Sequence, residues 1–340
     1  MYDADSPIQI KILAQGQPTK INQQWFIGRF QQAFDIRKPL LIHNTNAYRL
    51  IYGENDHLPG LIIDMYDQVA AVKLYTSAWF PFLNQITIAI KEIIDPKAIV
   101  LRLSRLVQKT DPPISDGSVI DGQLEQEEII FSEYGIKFSA NVIKGHKTGY
   151  FLDHRDNRNK VGLMAKGKTV LDIFSYAGGF SVHALANGAK KVVSVDISAQ
   201  ALELAKKNAA LNVQNPNHHI IAKDAFEAMQ ELIEEKQKFD IVVVDPPSFA
   251  KQQSDIDKAL QSYSRLAKLA IQLVRDGGYC VMASCSSRIT ADQFYETVEN
   301  AFSKSPHRFR LEEKTFHDID HPIGFPEGAY LKTGYYKVEY

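Results

Sequence analysis

The sequence predicts an α/β protein: a parallel sheet wound with helices in the C-terminal half, preceded by a smaller mixed α+β unit. Two observations predict it. From residue 169 onward, five compact β-rich runs (169–174, 191–196, 219–222, 240–244 and 279–283) alternate with helical patterns at 180–187, 199–212, 225–235 and 256–274. Such alternation requires crossover connections, and therefore parallel strands with both faces covered. Before residue 137 the pattern changes to hairpin-like runs mixed with amphipathic segments, and 340 residues suit about two domains.

In the first unit, Trp25, Phe26, Phe30 and Phe34 recur at helical spacing, so residues 22–34 should form a helix with an aromatic core face. Residues 61–65 and 69–75 flank the turn Tyr66-Asp67-Gln68 and read as a hairpin. A helix near 80–94 and a strand near 98–103 follow. Asp111-Pro112-Pro113 and Ser115-Asp116-Gly117 then interrupt regular structure. A second hairpin is expected over 129–132 and 136–142, around Tyr134-Gly135. No internal repeat is visible.

Composition narrows the function. Hydrophobic residues at 45% and charged residues at 23% are those of a folded chain. Thirty-nine Lys+Arg against forty Asp+Glu leave a net charge of −1, which excludes a polycationic coat. Two cysteines cannot build a disulfide framework, and no Cys/His cluster has zinc spacing, so no metal is expected. Apolar runs such as 61–63 and 241–244 fall far short of the ~20 residues a membrane-crossing helix needs. The opening MYDADSPIQI lacks the apolar core of a signal peptide. The expectation is a soluble cytoplasmic protein with no membrane partner.

Charge is nonetheless uneven. Residues 110–136 hold seven acidic side chains and no Lys or Arg, whereas 137–168 hold eight basic and two acidic ones, a local balance of +6. Two solvated faces would give this pattern, and so would a basic segment that carries a polyanion.

Doubly wound sheets bind ligands beyond the carboxyl ends of their strands. The first strand runs through Asp172 into DIFSYAGGFS (172–181), where Gly178 and Gly179 allow the backbone to pass close to a bound molecule. This is not the dinucleotide fingerprint G-x-G-x-x-G, and a tight strand-to-helix turn is the alternative. The second strand ends in Asp196, placed to accept both hydroxyls of a ribose, unless it caps the next helix in place of Ser198. After the third strand, Asp224 is positioned equally for an adenine amino group or for a helix cap. The fourth ends in Asp245-Pro246-Pro247, a rigid extended exit that holds Asp245 at the crevice. The fifth leads into ASCSS (283–287), with Cys280 inside the strand as core and Cys285 at its end, level with Asp245 on the neighbouring strand. From position alone, a buried inert thiol is the commoner fate of such a cysteine.

Together these ends have the form of a class I methyltransferase site that uses S-adenosylmethionine (SAM). The chain from about residue 8 to 340 resembles the large ribosomal subunit RNA methyltransferase I family, enzymes acting on carbon 5 of a cytosine in 23S rRNA. The segments that carry the resemblance are RLIYGENDHLPGLIID (49–64), GHKTGYFLDHRDNR (145–158), FSYAGGFSVHAL (174–185), DPPSF (245–249), SCS (284–286) and HPIGFPEGAYLK (321–332). Six segments in the family's order are far more specific than any one of them.

The resemblance implies a seven-stranded, mostly parallel Rossmann-like sheet with an antiparallel C-terminal hairpin over 144–340, behind a central α+β domain over 15–143. Residues 2–13 resemble only the last strand of the RNA-binding PUA β-barrel with which family members usually begin. It further implies a SAM site at Asp172, Phe174, Tyr176, Gly178, Gly179, Asp196, Asp224 and Asp245, bordered by Lys147 and Tyr150. Cys285 becomes the nucleophile and Asp245 the group that holds the base. Lys147, Arg155 and Arg158 are candidates for phosphate contacts, and Phe249 for stacking on a flipped base. RNA is the expected partner, with a homodimer possible. The alternatives are a guanine N-methyltransferase using the same Asp-Pro-Pro-Ser-Phe segment, for which no cysteine is needed, and a SAM- or RNA-binding protein without turnover.

Overall fold

In a computed structural model describing residues 1–340, the chain divides into two units: Met1–Asp153 with Asp318–Phe325, and His154–His317 with Pro326–Tyr340. The division at Asp153/His154 falls ten residues beyond the boundary expected from the sequence, because residues 144–153, after the second hairpin, stay with the first unit. Residues 2–13 form no strand. They make only an isolated antiparallel bridge between Tyr2 and Ile10.

In the first unit, α1 (Gln23–Ile42) is capped by the Asn22 side chain, which accepts from the Trp25 amide. It buries Phe26, Phe30, Ala33, Arg37 and Leu40, the spacing of one helical face. That face packs on a sheet ordered β1 (Ala47–Tyr52), β2 (Leu61–Tyr66), β3 (Val69–Leu74), β4 (Ala98–Leu103) and β5 (Val119–Gly122). β2 and β3 are the expected hairpin, turning at Asp67 with φ +52°. The parallel pair β3 and β4 is joined through α2 (Leu83–Ile93), and α3 (Arg105–Gln108) follows β4. β6 (Glu128–Glu133) and β7 (Ile136–Asn141) form the second expected hairpin as a separate two-stranded sheet.

The second unit opens with α4 (Arg155–Met164). A seven-stranded sheet follows, built from β8 (Thr169–Ile173), β9 (Lys191–Asp196), β10 (His218–Ala222), β11 (Phe239–Val244), β12 (Val274–Ser284), β13 (Arg308–Thr315) and β14 (Lys332–Glu339). Its order is β10-β9-β8-β11-β12-β14-β13, with β10 to β12 parallel and β14 antiparallel to both neighbours. This is the α/β class I methyltransferase architecture that the resemblance implies. α5 (Gly179–Ala186), α6 (Ala199–Ala210), α7 (Ala225–Glu234), α8 (Ile256–Leu273) and α9 (Ala291–Phe302) cover it. One face of the sheet, with Leu171, Ile173, Val242, Val244, Cys280 and Met282, packs on α7, α8 and α9. Strand order reverses between β8 and β11, so the crevice for a ligand opens at their carboxyl ends. No helix is long and apolar enough to cross a membrane.

A charge is buried on the apolar face of α1. Arg37 is fully buried and forks onto Asp56, Nη1 donating to Oδ1 at 2.9 Å and Nη2 to Oδ2 at 2.6 Å. Its remaining donors reach the carbonyls of Ala33, Arg49 and Asp320. Truncating one partner strands the other charge in a dry site. Arg37→Met should therefore lower the unfolding free energy by about 3–5 kcal/mol in a denaturant titration, while the double variant Arg37→Met/Asp56→Leu recovers much of that loss.

Candidate active site

The loop after β8 is wound unusually tightly. Phe174, Tyr176 and Gly178 all take positive φ, at +65°, +48° and +79°. Only glycine does so freely; a non-glycine residue there costs on the order of 1–3 kcal/mol and persists where its surroundings enforce it. The enforcing bonds are visible: Ser175 N donates to Val195 O (3.0 Å), Gly178 N to Ser175 O (2.8 Å) and Tyr176 N to Asp196 Oδ2 (2.9 Å). At Gly178 a β-carbon would meet the Ala205 methyl at 2.7 Å, so α6 as well as φ requires glycine. Gly179 begins α5 immediately afterwards.

Beneath this loop lies Asp172, fully buried. Its Oδ2 accepts from Ser181 N (3.0 Å) and Ser181 Oγ (2.6 Å), and Ser181 Oγ in turn bonds Ser194 Oγ (2.6 Å). Ser194 bonds His218 Nε2 at 2.7 Å. Because Ser181 gives its proton to Asp172 and Ser194 gives its own to Ser181, His218 must donate through Nε2. Burial, with Lys206 and His219 nearby, pushes His218 down to about 4, so it is neutral and suited to that role. Asp172 Oδ1 and Ser175 Oγ, by contrast, are buried with no hydrogen-bond partner. Burial first, then the neighbouring Asp245 and Asp196, push the Asp172 carboxyl up to about 7 against the lowering effect of Ser181.

At the end of β9, Asp196 accepts from Tyr176 N and, through Oδ1, from Ser198 N (2.9 Å); Ser198 itself caps α6. Each carboxylate oxygen retains acceptor capacity toward the crevice. Asp224 is the N-cap of α7, its Oδ1 accepting from Phe226 N (2.9 Å) and Glu227 N (3.3 Å), which leaves Oδ2 outside the cap. Asp245 ends β11 partly exposed, 3.3 Å from the buried His154 Nε2. Asn157 Nδ2 lies 3.2 Å from His154 Nδ1, which assigns Nδ1 as acceptor and leaves the proton on the nitrogen beside Asp245. The sequence reading did not single out His154.

β11 and β12 are parallel neighbours as expected, but Val244 pairs with Met282. Cys285 therefore lies two residues beyond the level of Asp245 rather than beside it, and the exit at Pro246 turns back to meet it: Cys285 Sγ stands 3.7 Å from Pro246 O. Cys285 is half-buried, whereas Cys280 is sealed in the core, where burial pushes its thiol far up. Phe249 stacks edge-on against Tyr263 (5.3 Å) at the margin of the core.

Lys147 and Tyr150 belong to the first unit. There Tyr150 N donates to Tyr66 OH (3.0 Å) within an aromatic cluster, and Lys147 is exposed with its ammonium over Phe151. Arg155 and Arg158 are buried within α4 and engaged inside the protein, so the phosphate contacts expected of them are corrected. Of the basic stretch, Lys144 pairs with Glu127 and Lys160 with Glu313. No group of three or more His, Cys, Asp or Glu is placed to hold a metal ion.

Comparison with known proteins shows the family and the fold. A family model described as S-adenosylmethionine-dependent methyltransferase matches residues 102–328. A ribosomal RNA large subunit methyltransferase of Deinococcus radiodurans is 37% identical, across 100% of this chain and 85% of its own. The ribosomal RNA large subunit methyltransferase I of Tolumonas auensis is 36% identical, across 97% and 85%. Among solved structures, SMU.776, complexed with SAH, superposes with a TM-score of 0.81 at 26% identity, across 94% of this chain and 83% of that one. Trm5b of Pyrococcus abyssi, at TM-score 0.59 and 21% identity, shares the fold alone.

SAM is the cofactor of this fold family, and the donor set fits it. The open Asp172 oxygen, the Ser175 hydroxyl and the Asp196 carboxylate offer acceptors to a ligand that carries an ammonium group and a ribose diol. The raised Asp172 carboxyl gives a sign. The folded state keeps its proton while the unfolded chain loses it above about pH 4, so this stabilisation is present below pH 4 and lost as pH rises toward 7. Asp172→Asn should raise the Tm of the ligand-free protein at pH 8, with the gain vanishing toward pH 4. It should also weaken SAM binding at least tenfold by calorimetry.

Proposed function

The chain belongs to the SAM-dependent methyltransferases, in the large ribosomal subunit RNA methyltransferase I family, and on that premise we propose that it methylates carbon 5 of a cytosine in 23S rRNA through a covalent adduct with Cys285. The observation that carries the reading is the half-buried thiol 3.7 Å from the Pro246 carbonyl, at the exit of the strand that ends in Asp245. Methylation of a ring nitrogen needs no cysteine at that place, since nitrogen already offers a lone pair.

Carbon 5 of cytosine is a poor nucleophile. The Cys285 thiolate adds to carbon 6, and the electron pair of the 5,6 double bond becomes available at carbon 5. Bound SAM supplies an electrophilic methyl group. Carbon 5 bonds to that methyl group, whose former bonding pair stays on the donor sulfur; carbon 5 then loses its proton to solvent, and the pair so freed re-forms the 5,6 double bond as the carbon–sulfur bond breaks and the Cys285 thiolate is regenerated. Asp245 accepts from the amino group, and a proton held between its carboxyl and ring nitrogen 3 meets the charge that shifts toward that nitrogen, with His154 Nε2 standing 3.3 Å from the same carboxyl. Pro246 and Pro247 keep the exit extended, so neither Asp245 nor the carbonyl facing the thiol swings away.

A paired base must leave its stack to reach this crevice, at a cost of a few kcal/mol unless it is already unpaired. Phe249 stands beside the exit for stacking on such a base, although its present partner is Tyr263. Lys147, exposed on the first unit, is the phosphate contact this reading retains.

Cys285→Ala should abolish methyl transfer to rRNA while SAM affinity stays within about twofold of wild type. Nucleoside digestion of rRNA methylated by the wild-type protein should yield 5-methylcytosine. Methylguanosine, or turnover retained in the alanine variant, overturns the cysteine mechanism.

A further inference from the structure

Lys332, the first residue of β14, pairs through its backbone with Ser284, the residue before Cys285. Its side chain is 1% exposed and bends over the loop that follows the cysteine. Nζ donates to Ser286 O and Ile289 O, both at 2.5 Å, and to Tyr330 O at 3.2 Å. All three partners are main-chain carbonyls; no carboxylate pairs with this ammonium.

The three carbonyls take all three N–H groups of the ammonium, and no carboxylate offsets the penalty of burying that cation. That penalty is real, since burial pushes the Lys332 ammonium down to about 8, opposed by its electrostatic attraction to Cys285. The loop is pinned on its other sides by neutral contacts. Ser284 Oγ bonds Tyr263 OH at 2.9 Å, and Ser286 Oγ reaches the Ala250 carbonyl at 3.4 Å, just after the Asp245 exit. Cys285 thus sits in a loop fixed on both flanks, with a cation on one side.

We propose that Lys332 is a positioning residue for Cys285, holding the loop that aims the sulfur and supplying the positive charge against which the thiolate forms. The inference deepens the cysteine mechanism proposed above and rests on it for its catalytic meaning. The other titratable groups near the sulfur do not substitute for this charge. Asp245, with His154 beyond it, presents a carboxylate that disfavours a neighbouring thiolate, and the Tyr263 phenol is kept neutral by burial. An ordinary thiol titrates near pH ~8.5, so without such help only a few per cent is ionised at neutral pH.

The test is the pH profile of iodoacetamide alkylation at Cys285, followed by mass spectrometry of the peptide that contains it, in the full-length protein. Cys280 lies in the sealed core and shares the tryptic peptide 276–288 with Cys285, so fragment ions between the two cysteines assign the modified one. Wild type should show a midpoint below ~8.5. Lys332→Met and Lys332→Gln should each move the midpoint up by about one pH unit and slow modification at pH 7 about tenfold, with SAM binding retained. Glutamine keeps two of the three N–H donors without charge, so a purely structural role predicts a midpoint near that of wild type for Lys332→Gln, and that result overturns the proposal. A wild-type midpoint at or above ~8.5 overturns it even if neither variant folds. Alkylation reports the thiol whether or not it attacks a base, so failure here is separable from failure of Cys285→Ala to stop turnover.

Discussion

The reversal of strand order between β8 and β11 is the constraint on which the rest of the molecule depends. On one side of that line the chain proceeds from β8 to β9 and β10, on the other from β11 to β12, and the connections at the carboxyl ends diverge. A parallel sheet with both faces covered has nowhere else to admit a ligand. Each group with a chemical reading at these strand ends, Asp172, Asp196, Asp245 and Cys285, lies on one of four strands adjacent in this order or just past its end. The antiparallel β14, inserted beside β12, brings Lys332 to the same edge of the sheet.

Beneath the crevice the sheet carries polar groups where apolar side chains would be the ordinary filling. Asp172, Ser181, Ser194 and His218 form one directed series of hydrogen bonds that ends on a single carboxylate oxygen. Its effect is to hold Asp172 in one rotamer while the second oxygen stays without a protein partner. A half-satisfied buried carboxylate destabilises a folded protein unless something binds it. The left-handed Phe174 and Tyr176 above it are of the same kind, backbone strain kept at a ligand loop.

Much of the fold was legible because its signals are local. The strand and helix periods after residue 169 were placed within a few residues, and Ser198 as the α6 cap follows from its position before an apolar pattern. The misses have physical causes. β12 begins at Val274, five residues before the expected start, because Arg275-Asp276-Gly277-Gly278 reads as a turn and is instead an irregularity within the strand, with Gly277 at φ +70°. β5 is four residues long and largely exposed at the sheet edge, so it shows no alternation. α4 reads as a string of charges, yet it buries Arg155, Asn157 and Arg158, and a hydrophobic period cannot reveal a helix whose inward face is polar. His154 and Lys332 were hidden for a related reason: each acquires meaning only from a partner far along the chain.

Asp172 and Lys332 show the same physics with opposite sign. Burial raises the carboxyl and lowers the ammonium, so in each case the fold disfavours the charge. A core selected for stability alone would carry neither. Their persistence is explained if each charge meets its complement only during function, a cationic cofactor for the carboxylate and a thiolate for the ammonium. On that view the two groups are poised in the ligand-free protein, and binding makes ionisation of Asp172 favourable just as thiolate formation secures the charge on Lys332. The free energy that the empty site withholds from folding is then recovered at the crevice, where it strengthens binding of the cofactor and activation of the sulfur.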